Sequence, residues 1–354
     1  MVKSRFTTDD ADDAMEEPVV TLRDVARAAG VSPATASRAL ADPGAVASAR
    51  RARVLRAADD LGYRPPGDEH APARRTRRLG VIVPDMENPF FSGVVKGIQQ
   101  RARASGVTVL VADADEDSQV EAELVEHLTP DVDGFVLCSP RMSDRALASL
   151  AARSGGPAVL LMNRDAPGLR CLTVDNVDGV RQALEHLHAL GHRRIAYAGG
   201  PTDSWSDRER RRGLAAVVAS RPDVDLVDLG HFPAVFAGGV AAADLVTASG
   251  ATAVLAYNDL VALGILDRLR LRGVPVPERV SVVGFDDVPA ATQVTPALTT
   301  VAIPLRLLGR TAVDTLLQPP SEPADRPPRP AAVSLVVRAS TGPRPPAVRI
   351  PDES

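Results

Sequence analysis

The sequence predicts an α/β protein that carries a small all-helical headpiece at its N-terminal end. A helix-turn-helix pattern occupies Thr21–Leu40, and from Leu79 onward short Val/Ile/Leu runs alternate with amphipathic helical patterns. Apolar strands that alternate with helices are typical of parallel sheets covered on both faces. With 354 residues, the chain also exceeds what one hydrophobic core holds. We therefore expect two or three domains.

Local signals mark both helices of the headpiece. Thr21 and Asp24 have the spacing of a capping box, which predicts a helix start, and Gly30 predicts its end. Ser32 is suited to cap the second helix, and Pro33 fits its first turn, where no amide donor is needed. Two short helices in this arrangement place the start of the second in a DNA major groove. The alternative is an ordinary helical hairpin.

Charge is unevenly distributed along the N-terminal part of the chain. The net charge of −4 would argue against nucleic acid if it were evenly spread. Residues 1–17 are acidic and are expected to form a disordered leader, whereas residues 18–80 carry twelve arginines against six acids, a net of +6. The segment with the helix-turn-helix is therefore basic, as phosphate binding requires.

A third helix and a linker follow the headpiece pattern. Ser48 is suited to cap that helix and Gly62 to end it, so the DNA-binding domain is assigned to residues 18–64. Residues 65–78, rich in Pro and Arg, are assigned as the hinge or linker, and 79–342 as the core. Residues 318–330 form a Pro-rich loop insertion, and 343–354 a Pro-rich tail without a heptad pattern.

The core pattern points to ligand binding rather than catalysis. Predicted strands start at Leu79, Val107, Gly134, Ala158, Arg194, Ala253 and Val280. Parallel sheets bind ligands outside the carboxyl ends of their strands. No G-x-G-x-x-G follows these strands, and the sequence has no P-loop, Cys/His metal cluster or recognisable catalytic triad. We therefore expect no cofactor, no metal and no enzymatic activity.

Two further features predict the cellular compartment of the protein and the redox state of its cysteines. The sequence has no apolar run of membrane-spanning length and no N-terminal apolar signal segment, so we expect a cytoplasmic protein. Cys138 and Cys171 are too few for a disulfide framework and lie in apolar, strand-like contexts. We expect both to be reduced, buried structural residues.

The longer motifs carry a family resemblance. The pattern T-L-x-D-V-A-x-x-A-G-V-S-x-x-T-x-S-R, typical of the lactose-repressor (LacI/GalR) family of bacterial transcription regulators, is matched at every fixed position of Thr21–Arg38. Further blocks resemble the family's core, in the family's order: Pro84–Phe91, His186–Tyr197, Ala253–Gly264, Val280–Pro289 and Pro296–Val301. The resemblance covers roughly residues 18–342.

This resemblance implies a periplasmic-binding-protein-like core of two doubly wound α/β subdomains. The chain would cross between them three times, with an effector in the cleft. Subdomain one would comprise about 79–173 plus 302–332, and subdomain two about 174–301 plus 333–342. Family members that tetramerise add a C-terminal leucine heptad, and its absence here leads us to expect a homodimer.

The resemblance also implies which residues contact DNA. The family's base-contacting positions fall on Pro33, Ala34 and Arg38, and the arginine fork is suited to guanine. A plain phosphate contact is the alternative for Arg38. The remaining hydroxyls of the predicted DNA-binding set are better suited to phosphates than to base choice. They are Thr21, Ser32, Thr35 and Ser37.

Seven residues form the predicted effector site. Recognition of a small polyol needs forked hydrogen-bonding groups and an apolar plate for the C–H face of a ring. The set is Phe90, Phe91, Asn163, Trp205, Arg210, Asn258 and Asp286. Each has a structural alternative: either phenylalanine can belong to the core, and Asp286 can cap the following turn.

Three histidines invite a metal or catalytic interpretation. His188 and His192 share helical i, i+4 spacing with His186 nearby. However, Leu190 and Gly191 indicate a helix end between them, and the block H-L-x-x-L-G-H resembles a structural helix terminus of the family. We therefore favour a structural role.

Together these features predict a transcription regulator, a repressor in the simplest case, that binds a palindromic operator as a homodimer. A small ligand, a sugar by resemblance, would shift the population of core closure states. One rival is a solute receptor for a transporter, opposed by the headpiece and the missing signal segment. Another is a sugar-processing α/β enzyme, opposed by the missing catalytic constellation.

The linker departs from the family pattern N-x-x-A-R-x-L, which forms a hinge helix on DNA. The matching stretch is PGDEHAP, residues 66–72. Gly67 and two prolines disfavour a helix, and the leucine position falls on Pro72. We expect weaker bending at the operator centre, with arginines 74, 75, 77 and 78 following the narrow groove.

Overall fold

The computed structural model describes residues 20–41, 46–61, 63, 76–153, 156–318 and 329–346. The acidic leader, the hinge up to residue 75, most of the Pro-rich insertion and the tail beyond residue 346 lie outside the described residues, so the predictions for them remain predictions. The chain divides into two compact units between Arg75 and Thr76, and each is described by itself.

Three helices make up the first unit: α1 (Leu22–Ala29), α2 (Pro33–Ala41) and α3 (Ser48–Leu61). The backbone amide and hydroxyl of Thr21 both donate to the Asp24 carboxylate, at 3.0 and 2.6 Å. Gly30 ends α1 in the left-handed conformation, with φ of 63°. The Ser32 hydroxyl accepts from the Thr35 amide at 3.2 Å and caps α2. The predicted helix-turn-helix is confirmed.

Small side chains fill the core of the headpiece, which allows its helices to approach closely. The buried residues are Val25, Ala26, Ala29, Ala36, Ala39, Val54, Ala57 and Ala58. Because Ala36 and Ala39 face this core, the opposite face of α2 lies outward. That face exposes Pro33, Ala34, Ser37 and Arg38.

The second unit contains two sheets. The first is five-stranded and parallel, in the order β2-β1-β3-β4-β5. Its strands are β1 (Arg78–Val83), β2 (Thr108–Asp113), β3 (Gly134–Cys138), β4 (Ala158–Met162) and β5 (Arg170–Leu172). The helices of this part of the chain are α4 (Pro89–Ala104), α5 (Ser118–Leu128) and α6 (Asp144–Ala151).

The second sheet is six-stranded, in the order β11-β10-β9-β8-β6-β7, and only β11 runs antiparallel to its neighbour. Its strands are β6 (Arg194–Gly199), β7 (Asp225–His231), β8 (Ala253–Ala256), β9 (Ser281–Asp286), β10 (Thr299–Ala302) and β11 (Ser334–Val336). The remaining helices are α7 (Asn176–Ala189), α8 (Trp205–Ser220), α9 (Phe236–Ala248), α10 (Asp259–Leu271) and α11 (Leu305–Leu317).

The chain passes between the two sheets three times: after β5, after β10 and before β11. Between the second and third passages it forms α11, which packs against α4 of the first sheet. Glycines allow this packing, because a Cβ at Gly97 would overlap the Arg306 carbonyl oxygen and one at Gly309 would overlap that of Val94. Both subdomains are therefore built from separate stretches of sequence.

All seven strands predicted from apolar runs are present, each starting within one residue of its predicted position. Four others, β5, β7, β10 and β11, lack such runs. Strands β7 and β11 lie at sheet edges and keep polar residues on the exposed side, and β5 has only three residues. On edge strand β5, Cys171 is only partly buried, whereas Cys138 is fully buried as expected. Among the described residues, no helix is both long and apolar enough to cross a membrane.

Candidate functional site

A narrow cavity of about 30 Å³ lies where the carboxyl ends of strands from both sheets meet. Six of the seven predicted effector residues line it, and Trp205 does not. The lining residues are Asn88, Phe90, Phe91, Glu116, Ser139, Arg141, Asn163, Ser206, Arg210, Ala234, Tyr257, Asn258 and Asp286. The partly exposed Trp205 is instead the first residue of α8.

Left-handed backbone conformations are concentrated at this cavity. Glu116, Ser139, Asn163 and Asp286 have φ of 57°, 47°, 52° and 119°, although none is glycine. Ser139 and Asn163 directly follow β3 and β4, and Asp286 ends β9. Each such conformation costs on the order of 1–3 kcal/mol and persists only where surrounding structure imposes it. The backbone is thus strained at four positions whose side chains line the cavity.

Arg210 enters the site from the second turn of α8. Its Nε donates to the Asn176 side-chain oxygen at 2.9 Å, and a terminal nitrogen donates to the Tyr257 carbonyl. The guanidinium lies 3.7 Å from the centre of the Phe285 ring. These contacts fix the plane of a buried cation beside the cavity.

Asp286 provides a carboxylate that no described residue satisfies with a side-chain hydrogen bond. Its nearest cationic nitrogen is that of Arg210, at 3.9 Å, beyond hydrogen-bond distance. Burial raises the pKa of Asp286 well above its usual value; Arg210 opposes this rise and Asp259 adds to it. Because a ligand hydroxyl or amine would supply the missing donor, Asp286 is suited to ligand binding.

The two asparagines of the predicted set differ in what they offer. The side-chain oxygen of Asn163 is buried and has no partner among the described residues, so it can accept from a ligand. In contrast, the Asn258 oxygen accepts from the Val261 amide at 2.9 Å, and its nitrogen donates to the Ala234 carbonyl at 3.0 Å. Asn258 therefore caps α10 and keeps one N–H for the cavity.

Phe90 and Phe91 form an aromatic wall at the start of α4. Asn88 caps this helix by accepting from the Phe90 amide at 3.0 Å. The two ring centres lie 5.0 Å apart, with the rings at 84°. Both rings line the cavity and also belong to the main hydrophobic core. Phe90 and Phe91 can therefore contact a ligand and contribute to the core at the same time.

Reasoning from sequence missed an acidic and a basic residue that lie side by side in the cavity. Arg141 donates to both carboxylate oxygens of Glu116, at 2.5 and 2.9 Å, and to the Ser139 carbonyl at 3.0 Å. Its side chain is 4% exposed. Also missed were Asn88, Ser139, Ser206, Ala234 and Tyr257. The available signal was position, because Glu116 and Ser139 come just after predicted strands.

The three histidines of the H-L-x-x-L-G-H block make hydrogen bonds with nearby polar groups. His192 is hydrogen-bonded to Thr252, Ser281 and the Gly342 carbonyl, at 2.8, 3.1 and 3.0 Å. His186 contacts Thr341, whereas His188 pairs with Asp223. Within the described residues no group of three or more His, Cys, Asp or Glu side chains is placed to hold a metal ion. Burial lowers the pKa of His192, which favours its neutral form.

The predicted DNA-binding residues lie at the outer side of α2, with one exception. Ser32, Pro33, Ala34, Ser37 and Arg38 are exposed, and Thr35 is partly exposed. The Arg38 Nε donates to the Ala34 carbonyl at 3.3 Å, which leaves the rest of the fork available. Thr21, the exception, lies before α1 and donates its hydroxyl to Asp24.

Comparison with known proteins finds a matching family for each of the two units. Residues 21–66 match the family described as bacterial regulatory proteins, lacI family, and residues 184–341 match the periplasmic binding protein-like domain. The chain is similar to the HTH-type transcriptional repressor CytR of Escherichia coli (strain K12), with 34% identity over 310 residues, covering 85% of this chain and 90% of that protein.

Two solved structures are similar over nearly the whole chain. One is the lac repressor dimer bound to operator and the anti-inducer ONPF, with a TM-score of 0.69 and 30% identity, covering 92% of this chain and 100% of that one. The other is a complex of the transcriptional regulator CelR with cellobiose, with a TM-score of 0.64 and 30% identity, covering 91% and 99%.

Proposed function

Because this chain belongs to the lacI family of bacterial regulatory proteins, we propose that it is a transcriptional repressor controlled by a small ligand in its core cleft. It would bind a palindromic operator as a homodimer in the cytoplasm and act by binding rather than by catalysis, without a cofactor. The core cavity supports this proposal most directly, because it brings together an unsatisfied buried Asn163 oxygen and an Asp286 carboxylate without a hydrogen-bonded donor.

The chemistry of the cavity favours a sugar or a related polyol. Such ligands present ring C–H faces to aromatic side chains and hydroxyls to polar groups. Here Phe90 and Phe91 supply the apolar wall, and Asn163, Arg210 and Asp286 supply acceptors and donors. CelR, a structural relative, is solved with cellobiose, which agrees with this class of ligand. Trp205 is not part of the proposed contact set.

Both subdomains contribute residues to the cavity. We propose that ligand binding acts on the headpieces through the angle between these subdomains. Phe90, Phe91 and Asn163 belong to the part of the core around the first sheet, whereas Arg210 and Asp286 belong to the second. A ligand that contacts both groups stabilises one angle between the subdomains. It therefore shifts the population of closure states by its differential affinity. In a homodimer, that shift would change the spacing of the two headpieces.

We propose that α2 reads the operator. Arg38 is the residue suited to a guanine, since its free terminal nitrogens form a fork. Pro33 and Ala34 present small apolar surfaces suited to a thymine methyl, and the neighbouring hydroxyls suit phosphates.

A gel-shift experiment tests the proposed function. The DNA upstream of this protein's own gene is incubated with the full chain, with and without each member of a sugar and nucleoside panel. We expect a sequence-specific complex whose stability changes with at least one compound. An Asp286→Asn variant should bind the same DNA and lose that response. Failure of the full chain to bind this DNA more tightly than random DNA would contradict the proposed function.

A further inference from the structure

The cavity contains a second charged pair, Glu116 and Arg141, that no part of the proposed function uses. An arginine side chain has five N–H donors. Three of the five are occupied in Arg141: two by Glu116, at 2.5 and 2.9 Å, and one by the Ser139 carbonyl, at 3.0 Å. One N–H therefore remains on each terminal nitrogen. Since Arg141 is 4% exposed and lines the cavity, a ligand is the available partner for these donors.

Several contacts hold this pair in one geometry. Glu116 lies in the left-handed region with φ of 57°, and so does Asp115, at 50°. On the other side of Arg141, the buried Glu121 carboxylate accepts from the amides of Arg141 and Met142, at 2.8 and 2.9 Å. Neighbouring groups thus fix the backbone conformation at both Glu116 and Arg141, as a preorganised binding group requires.

Charge balance decides what kind of ligand the pair fits. The charged residues that line the cavity are two acids, Glu116 and Asp286, and two arginines, Arg141 and Arg210. Behind them Asp259 is buried, which raises its pKa to about 7, and Asp287 pairs with Arg338 at 2.6 Å. Burial raises the pKa of Asp286, and the nearby Asp259 adds to this rise. Two acids thus match the two arginines in the lining, and Arg141 has its own counter-ion in Glu116.

We propose that Arg141, neutralised by Glu116, is a specificity-determining residue that binds an uncharged ligand oxygen and makes the cleft select uncharged sugars over their phosphate esters. This inference rests on the proposed function, because it concerns the same effector cavity. A phosphate group would need a cation without its own counter-ion. Here it would approach the Glu116 carboxylate that already neutralises Arg141, so like-charge repulsion would oppose its binding.

Matched pairs of compounds test the selection. The pairs are D-ribose and D-ribose 5-phosphate, D-galactose and D-galactose 6-phosphate, cellobiose and cellobiose 6′-phosphate, and adenosine and its 5′-monophosphate. Thermal shift identifies the binders to the full-length wild-type chain, and titration calorimetry gives their Kd. We expect at least one uncharged compound to bind at least roughly tenfold more tightly than its phosphate ester, the size of one charge-assisted contact.

Two variants separate the contribution of charge from that of shape. Glu116→Gln keeps the size of the side chain and leaves Arg141 with an unbalanced charge, so the preference for the uncharged compound should fall by roughly tenfold or more. Arg141→Lys keeps the charge and loses the fork, so it should weaken binding of the uncharged compound. Glu123→Gln, an exposed change on α5 outside the cavity, is the matched control and should alter neither value.

The outcomes distinguish this inference from the proposed function. A phosphate ester that binds the wild type more tightly than its uncharged counterpart would overturn the selection by charge but leave an effector site in place. An unchanged preference in Glu116→Gln would overturn the role of the pair in the same way. If none of the eight compounds bound, the proposed effector function would fail, and this inference with it.

Discussion

Arg210 and Asp286 face each other across 3.9 Å in the core cavity without forming a hydrogen bond. Arg210 is held by Asn176 and by the Phe285 ring, and Asp286 by the strained backbone at the end of β9. A guanidinium and a carboxyl that are fixed just outside hydrogen-bond distance leave both groups incompletely satisfied. A hydroxyl between them can accept from one and donate to the other, so this gap is a binding position for a polyol.

The first prediction concerns that position. Asp286→Asn should abolish the thermal shift caused by the effector and leave operator affinity nearly unchanged, because the carboxylate contacts only the core cavity. Arg210→Ala should do the same in the fraction that folds. The exposed Arg212→Ala on the same helix is the control. A folded Asp286→Asn variant that loses operator binding but keeps the ligand response would contradict the assignment.

A second prediction tests base reading by α2. Arg38→Ala should cost about 1–3 kcal/mol of specific binding per half-site, the value of a bidentate base contact. Fluorescence anisotropy with operator and random DNA separates specific from general affinity. Arg38→Lys keeps the charge without the fork and should lose specificity while retaining most random-DNA binding. Equal losses on both DNAs in the alanine variant would make Arg38 a phosphate contact.

The third prediction is a pH dependence at Glu121. Burial raises the pKa of this carboxyl from 4.5 to about 7, although hydrogen bonds from the backbone amides of Met142 and Arg141 act to lower it. A pKa that is higher in the folded state stabilises the fold at low pH, and this contribution is lost as the pH rises toward about 7.

Glu121→Gln should therefore gain stability relative to the wild type, by about 2 kcal/mol, between roughly pH 5.5 and 8.5. The glutamine oxygen can still accept both amides. Urea unfolding of both proteins at the two pH values measures the difference. A constant difference across this range would show that Glu121 is ionised throughout.

The fourth prediction concerns the contact between α4 and α11. Gly309→Ala places a methyl group against the Val94 carbonyl oxygen, so it should destabilise the core by about 1–3 kcal/mol, as overpacking does. Gly156→Ala is the matched control, since a Cβ there has no neighbour within 4 Å, and its effect should stay within about 0.5 kcal/mol. Equal unfolding midpoints for the two variants would contradict the close approach of these helices.

The features that could be predicted from the sequence are those that depend on contacts between residues close together in the chain. The capping box of Thr21 and Asp24, the left-handed Gly30 and the Ser32 cap each depend on contacts within three or four residues. The same holds for apolar strands inside a sheet, since burial on both faces demands a continuous apolar run. Five of the predicted site residues came from family positions, and Asn163 came from its place at the end of a strand. All six line the cavity, the other five being Phe90, Phe91, Arg210, Asn258 and Asp286.

Features that depend on distant partners escaped prediction. Arg141 and Glu116 are 25 positions apart, and nothing near either residue indicates that they meet. Strand β10 carries two buried threonines, Thr299 and Thr300, whose hydroxyls are satisfied only because Asp259, Arg338 and Thr341 provide partners from elsewhere in the chain. Trp205 was selected for its residue type, but its position at the start of α8 leaves it outside the cavity.

The three passages of the chain between the two sheets have a consequence for how the protein is made. While the ribosome has released residues only up to Leu298, α4 still lacks α11, and the second sheet still lacks β10 and β11. Neither half can bury its core completely until sequence far downstream has emerged, so hydrophobic surface on both remains open during most of synthesis. Newborn chains would therefore depend on protection by chaperones late into translation, and premature termination near residue 300 should yield an insoluble product instead of one intact subdomain.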